Sequence, residues 1–369
     1  MGRGLLAFLA IFQSILFAAH FLVLDTWLNF WGVPPAMPLL AAKLGTTLLA
    51  VSFVVASLLS FRYWNAFTRN FYRLAAAWLG IVNFLFFAAI AVWITTGIKF
   101  AGGFAWRDKT IVAVWFGTAL AAAVWGIINA SLTRVNRITV RLPNLPEAWR
   151  GRKAAMISDL HLGHVRGAEF ARSLVATIRQ LRPEIVFLAG DLYDGAFADL
   201  DELAGPLRSL NAPLGNYFVA GNHEEMHNHQ GHLRAAQGAG LRLLNNEKII
   251  VDGLQIVGVH HYDAARPERL SKVLERAAID RSQPSVLIVH APDQLAVAEK
   301  AGISLQLSGH THRGQFFPWT WFTSLIYRQF VYGLQRFGDM LVYTSSGAGT
   351  WGPPLRVGSR PEIVLIHFE

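Results

Sequence analysis

Four stretches without a charged residue, 5–24, 44–61, 74–98 and 110–133, set the first limit on how this chain folds. About 20 consecutive apolar residues cross the hydrocarbon core of a bilayer, where a helix satisfies its own backbone. Each run therefore reads as a spanning helix. The second extends back past Lys43, whose stem reaches the interface. The first run is too long for the apolar part of a signal peptide, and no clear small-residue cleavage site follows it, so it reads as an uncleaved span. The expectation is a region of about four transmembrane helices over residues 1–133.

The charges divide accordingly. Residues 1–133 hold eight Lys/Arg, two Asp and no Glu, whereas residues 134–369 hold 25 Lys/Arg, 22 Asp/Glu and twelve of the thirteen His. Most of the net charge of +9 thus lies in the apolar third, where it orients helices. There is no aromatic-basic stripe of the kind single-strand binders use, and no nucleic-acid partner is expected. Four spans place both ends on one side. The long basic flank Arg134, Arg137, Arg141, Arg150, Arg152 and Lys153 assigns that side to the cytoplasm, while Lys99, Arg107 and Lys109 in the third loop pull the other way. His20 and Asn129 are polar within the spans, and a helix–helix hydrogen bond or an interfacial position is their expected role. The absence of cysteine excludes disulfides and thiolate metal sites.

From Arg134 the pattern shortens. Residues 137–145 alternate like a strand, and 134–152 reads as a linker with a first strand, ahead of a domain over 153–369. Apolar runs of three to five residues follow, and each ends in a polar cluster. The clusters are Asp159-Leu160-His161, Gly190-Asp191, Gly221-Asn222-His223-Glu224, His290, and Gly309-His310-Thr311-His312. Helical patterns lie between several of them, notably 168–182 and 268–278, which predicts an α/β sheet with its ligands at the carboxyl ends of the strands. Turns favour Asp, Asn and Gly but do not account for the histidines. Imidazole and carboxylate are good ligands for zinc, manganese and iron, one carboxylate can bridge two cations, and two such cations can clamp the attacking and leaving oxygens of an in-line displacement at phosphorus.

The five clusters, in that order, resemble the calcineurin-like metallophosphoesterases, over about residues 150–369. Together with the four spans, they resemble the membrane-bound bacterial branch of that superfamily. The resemblance implies a β-sandwich flanked by helices, with two divalent metal ions (Mn, Fe or Zn) at one end and a placement in a bacterial inner membrane. Carried over residue by residue, it implies that Asp159, His161, Asp191 and His312 hold one metal. Asp191, Asn222, His290 and His310 would hold the other, with Asp191 as the bridge. It further implies attack by a hydroxide between the metals. His223 would protonate the leaving oxygen, a task suited to imidazole, which titrates near neutral pH. Asp194 and Glu224 are expected behind the ligands. His164 follows the first cluster as a possible substrate neighbour. His227, His229 and His232 read as a solvated loop, and His260-His261 departs from the family's pattern at that strand end.

The substrate is read from elsewhere. After the two histidines of the last cluster, residues 316–337 are rich in aromatics, with Arg328 and Arg336 as the only charges. Trp and Tyr favour the headgroup zone of a bilayer, so Trp319 and Trp321 are expected to contact an amphipathic substrate, against the plainer reading of a covered loop. The Gly-rich stretch 345–352 with Arg356 either approaches a phosphate or forms tight turns between terminal strands. The expectation is a membrane-anchored phosphoesterase acting on a phosphodiester or pyrophosphate of a lipid-linked molecule. UDP-diacylglucosamine is one candidate, by resemblance to related hydrolases. The alternatives are a tethered general or cyclic-nucleotide phosphodiesterase, a membrane scaffold with an inherited metal site, and a transporter or sensor built from the spans.

Overall fold

A computed structural model describes residues 3–32, 38–226 and 228–369. The chain divides into two compact units, Met1–Ile128 with Gly352–Leu355, and Asn129–Trp351 with Arg356–Glu369. The first unit is helical: α1 (Arg3–Phe30), α2 (Leu39–Ser60), α3 (Ala66–Gly102) and α4 (Asp108–Ala130). All four are long and apolar enough to cross a membrane, consistent with an integral membrane protein. The helices outrun the charge-free stretches because polar residues extend a helix beyond the apolar core. Asn65 caps α3 by accepting from Thr68 N–H, and Thr68 Oγ1 accepts from Asn65 N–H in return, so the helix starts at Ala66, ahead of position 74. The fourth stretch stops early: α4 ends at Ala130, and Arg134 already begins a strand. Polar groups lace the helices together. Trp78 Nε1 donates to His20 Nε2 at 2.8 Å, Trp93 Nε1 to Thr26 Oγ1 at 2.9 Å, and Trp115 Nε1 to Thr95 Oγ1 at 3.0 Å. His20 thus makes a helix–helix hydrogen bond. Asn129 donates to the carbonyls of Arg356 and Ser359, both at 2.9 Å.

The second unit carries β1 (Arg134–Val140), β2 (Lys153–Ile157), β3 (Ile185–Ala189), β4 (Asn216–Val219), β5 (Arg242–Leu243), β6 (Glu247–Val251), β7 (Leu254–Gly258), β8 (Ser285–Ile288), β9 (Leu305–Ser308), β10 (Gly333–Phe337), β11 (Met340–Thr344) and β12 (Glu362–Phe368). Its helices are α5 (Ala168–Leu181), α6 (Leu200–Ala204), α7 (His229–Gly238), α8 (His261–Ala264), α9 (Pro267–Ala277), α10 (Leu295–Ala301) and α11 (Trp319–Tyr327). The strands form two six-stranded sheets, ordered β1-β12-β2-β3-β4-β5 and β10-β11-β9-β8-β7-β6.

Alternate residues of both sheets meet in one core, including Met156, Phe187, Val219, Ile256, Ile288, Leu307 and Ile366. This is the period-2 facing that a pleated strand imposes. On the outer face of the second sheet, Val257, Leu287 and Val342 pack under Leu270, Val273 and Leu274 of α9 and Ala298 of α10. Strands buried on both faces account for the unbroken apolar runs in the sequence. Within the sheets β2, β3 and β4 are mutually parallel, as are β7, β8 and β9. Their carboxyl ends therefore align as two rims.

Candidate metal centre

Five strand ends supply the centre. Asp159 and His161 follow β2, Asp191 follows β3, and Asn222 and His223 follow β4. From the second sheet, His290 follows β8, and His310 and His312 follow β9. The chain leaves these strands in an unusual way. Asp159, His161, Asp191, His310 and His312 all have positive φ, between 47° and 70°. Residues with a Cβ avoid this left-handed region, and such strain gathers where side chains must be aimed. Glycines allow the loops to close up. Gly190 has φ +84° and lies so near His290 that a Cβ would meet Nδ1 at 2.5 Å, and a Cβ on Gly221 would meet Asp191 Oδ1 at 2.2 Å.

The donor atoms converge. Asp191 Oδ2 lies 3.2 Å from His290 Nε2 and 3.8 Å from His161 Nε2. His161 Nε2 and His312 Nε2 face each other at 2.9 Å, and His312 Nε2 is 3.4 Å from Asp159 Oδ1. On the other side, His290 Nε2 is 3.1 Å from both Asn222 Oδ1 and His310 Nδ1. Asp159, His161 and His312 form one candidate metal triad, and Asp191, His290 and His310 a second. His223 Nε2 stands farther off, 4.0 Å from Asp191 Oδ2.

Several backbone groups fix this arrangement. His310 N–H donates to both Asp159 oxygens, His223 N–H to Asp191 Oδ1, and His290 Nδ1–H to Ala189 O at 2.9 Å. The last contact leaves His290 Nε2 as the free donor, the usual way a fold sets the tautomer of a metal-binding histidine.

The comparisons with known proteins agree with this geometry. The family profile for calcineurin-like phosphoesterase matches residues 152–314. An uncharacterized metallophosphoesterase of Helicobacter pylori (strain J99) is 30% identical over 266 residues, covering 70% of this chain and 71% of that one. A transmembrane protein with metallophosphoesterase domain from Danio rerio is 31% identical over 277 residues, covering 71% and 63%. An Aquifex aeolicus metallophosphoesterase is 30% identical over 263 residues, covering 68% of this chain and 97% of its own. The chain belongs to the calcineurin-like metallophosphoesterases.

In this metallophosphoesterase the candidate ligand side chains are buried, apart from the half-buried Asn222 and His310, and burial governs the protonation of those that titrate. It holds His161 and His312 well below the usual histidine range, aided by neighbouring imidazoles and by Arg356. His310 is pulled down to about 3 by burial and then by His290. These rings are in the neutral form that binds metal. Burial alone would raise Asp191, but His290, His223 and His161 reverse this and keep it a carboxylate. Asp159 is raised to about 6 by burial, and His290 is raised to about 10 because Asp191 outweighs its burial. Imidazoles, buried carboxylates and an amide oxygen form a hard-to-borderline donor set that fits divalent cations at two candidate positions. His161 Nδ1 is also buried without a hydrogen-bond partner.

Around the ligands, Glu224 is fully buried. Its Oε2 accepts from Asp191 N–H (2.9 Å) and Gly221 N–H (2.7 Å), and its Oε1 accepts from Tyr193 N–H (3.0 Å). It thereby ties the Asp191 loop to the Asn222 loop. Burial and the nearby Asp191 raise it to about 7. Asp194, raised to about 6 by burial, accepts from the backbone N–H groups of His164 and Ala196. His232 is buried against Tyr193, with Nδ1 at Glu224 O, so it is structural and not solvated. His227 lies outside the described residues.

Arg356 corrects the expectation drawn from sequence. Its side chain is fully buried, and all three guanidinium nitrogens are engaged, with Gly349 O, Gly347 O, His312 O, Ser359 Oγ and His312 Nδ1. No donor remains for a phosphate. Arg356 instead holds the Gly-rich segment against His312.

Trp319 and Trp321 sit on α11, which buries none of its residues. Two ring neighbours of the centre were given no role there from the sequence. The exposed Trp351 meets the His223 ring edge-on at 6.1 Å, and His261 stands 5.6 Å from the His290 ring and 6.1 Å from His310. The GTWG and HHYD strings held those signals, but only as single residues.

Proposed function

We propose that this protein is a membrane-anchored phosphoesterase that uses two divalent cations to hydrolyse a phosphodiester or pyrophosphate bond of a lipid-linked substrate. The convergence of carboxylate, imidazole and amide donors from five strand ends around Asp191 Oδ2 carries the reaction class. Bound cations would supply Lewis acidity to the phosphoryl oxygens and lower the pKa of water. Asp159, His161, Asp191 and His312 would hold one, and Asp191, Asn222, His290 and His310 the other.

His223 would act as the general acid. Its Nδ1 is 2.8 Å from Asp194 O, and a carbonyl can only accept, so Nδ1 carries a hydrogen and Nε2 is the nitrogen turned toward Asp191. Deprotonation of Nε2 toward a leaving oxygen completes the displacement. Only 5% of His223 is exposed, and the Trp351 ring at its side limits water access. The substrate class rests on α11. It begins seven residues after His312 and exposes Trp319, Trp321, Phe322, Leu325 and Ile326, with no acidic residue. Such a helix suits the acyl and headgroup boundary of a bilayer, consistent with the four apolar helices of the same chain. The reading places the catalytic unit at the cytoplasmic face of a bacterial inner membrane.

The test uses full-length protein in mixed micelles with Mn²⁺. Wild type should hydrolyse a chromogenic phosphodiester, and His223→Ala should keep its metals while losing about 10²–10⁴-fold in rate, the usual worth of a general acid. A fully metal-loaded wild type that is inactive on diesters and pyrophosphates alike would sink the hydrolase reading. Trp319→Ser with Trp321→Ser should slow a long-chain lipid-linked substrate and leave a short-chain soluble analogue unchanged. Equal rates on both, insensitive to the pair of substitutions, would leave only a tethered enzyme with a soluble substrate.

A further inference from the structure

A second set of metal donors stands outside the dinuclear centre. Glu225, His229 and His260 each bring a ligand atom within 4.8 Å of the others. Glu225 and His229 lie on the stretch from β4 into α7, and His260 lies between β7 and α8. β4 belongs to the first sheet and β7 to the second, so the cluster joins the two sheets at the rim that carries the metal ligands.

The carboxylate is nearly enclosed, with 9% of its side chain exposed. Its Oε1 is buried, with His260 Nε2 directly against it. His229 Nδ1 is 3.4 Å from Oε2, and the two rings meet edge-on with centroids 5.8 Å apart. A buried carboxylate normally collects hydrogen-bond donors. Here the two beside it are both imidazoles.

We propose that Glu225, His229 and His260 bind a third divalent transition-metal ion. Two imidazoles and one carboxylate, with no cysteine in the chain, are the donors of an open zinc site, in which water fills the fourth place. Ligand atoms around one tetrahedral ion stand about 3.3 Å apart when each is about 2.0–2.2 Å from it. The Glu225–His229 pair has that spacing at Nδ1, which faces the Glu224 carbonyl at 3.2 Å and gives up that contact and its hydrogen on binding, and the tighter Glu225–His260 contact opens to admit the ion. His260 Nδ1 then takes the hydrogen, which costs only the long 3.3 Å contact from Tyr262 N–H.

The position explains what such an ion would do. The residue before Glu225 is Glu224, which braces the Asp191 loop, and the two before that are Asn222 and His223. The residue after His260 is His261, whose ring lies beside His290 and His310. One ion therefore pins both segments that border the catalytic centre, and it acts as a positioning element without touching substrate.

Metal counting tests this independently of activity. Full-length protein in detergent is stripped with a chelator, titrated with zinc, freed of excess by gel filtration and analysed by mass spectrometry. Wild type should retain three zinc ions per chain, and Glu225→Gln and His229→Gln two each. Asp191→Asn should give the reciprocal result, weakening the central pair by tenfold or more while keeping the third ion. Two ions in wild type, or a third ion that survives both Gln substitutions, overturns the proposal. Should the Gln variants unfold, wild type loaded with cobalt(II) decides: one cobalt displaced by zinc independently of the pair supports the site, and its absence overturns it. An inactive protein carrying all three ions would refute the phosphoesterase reading and leave this one standing.

Discussion

Glu224 offers the sharpest test of how the centre is held. Glu224→Gln keeps the size of the side chain and removes one acceptor. The wild-type carboxylate serves three backbone donors: Asp191 N–H and Gly221 N–H at Oε2, and Tyr193 N–H at Oε1. A glutamine does best by placing its carbonyl where Oε2 was, which turns its NH₂ toward Tyr193 N–H. Two donors then face each other in a site with no water access. A buried donor left unsatisfied costs about 1–3 kcal/mol, so the substitution should cost about 2–6 kcal/mol. Bonds to a charged acceptor are the stronger kind, which favours the upper half of that range. The damage should also reach the metals, because the two N–H groups at Oε2 position the loops of Asp191 and Asn222. Losing such a partner typically costs about 10–100-fold in metal affinity. The assay is thermal unfolding of the full-length chain at pH 8, where Glu224 is ionised, paired with a metal titration. Glu268→Gln, on the exposed face of α9, serves as a control expected to stay within about 0.5 kcal/mol of wild type. A Glu224→Gln protein that melts and binds metal like wild type would refute the bracing argument.

Two further outcomes follow from the geometry. Arg356→Lys should melt lower than wild type and bind metal more weakly, because an ammonium cannot reproduce the planar fork between Gly349 O and His312 Nδ1. A raised KM with unchanged metal affinity would instead restore the substrate contact expected from sequence. Metal binding should release protons at pH 8: His290, held up to about 10 by Asp191, carries one in the metal-free protein and must lose it to serve as a ligand. Below about pH 6, Asp159 also takes up a proton and affinity should fall further. Calorimetry in buffers of different ionisation enthalpy reads both effects, and buffer-independent heats would contradict them.

Much of this was legible in the sequence because two of its signals are redundant. A spanning helix announces itself over some twenty positions, so the four helices survive any error at their ends. Those ends depend on single interactions, such as the Asn65–Thr68 capping box that starts α3 ahead of the apolar stretch. The candidate metal centre was legible for a related reason: buried parallel strands leave apolar runs, and each run stops where the chain turns to present an Asp, Asn or His. Arg356 was misread because a Gly-rich neighbourhood looks the same whether it cradles a phosphate or wraps a buried guanidinium. Nothing in the sequence joins Glu225 to His260, 35 positions away, since their meeting depends on how the two sheets pack.

The left-handed backbone at Asp159, His161, Asp191, His310 and His312 bears on how such a chain can drift under mutation. Left-handed backbone costs a residue with a Cβ about 1–2 kcal/mol, a cost glycine escapes. Glycine would relieve that backbone cost, but at Asp159 and Asp191 it would also strip the acceptors of the His310 and His223 N–H groups, so relief outweighs loss only where the side chain holds no backbone group. A chain drifting toward a purely architectural role has the least reason to keep His161 and His310 in this backbone. Aspartate and histidine stand at all five positions, so the strained places in the chain are the ones that aim side chains at the candidate centre.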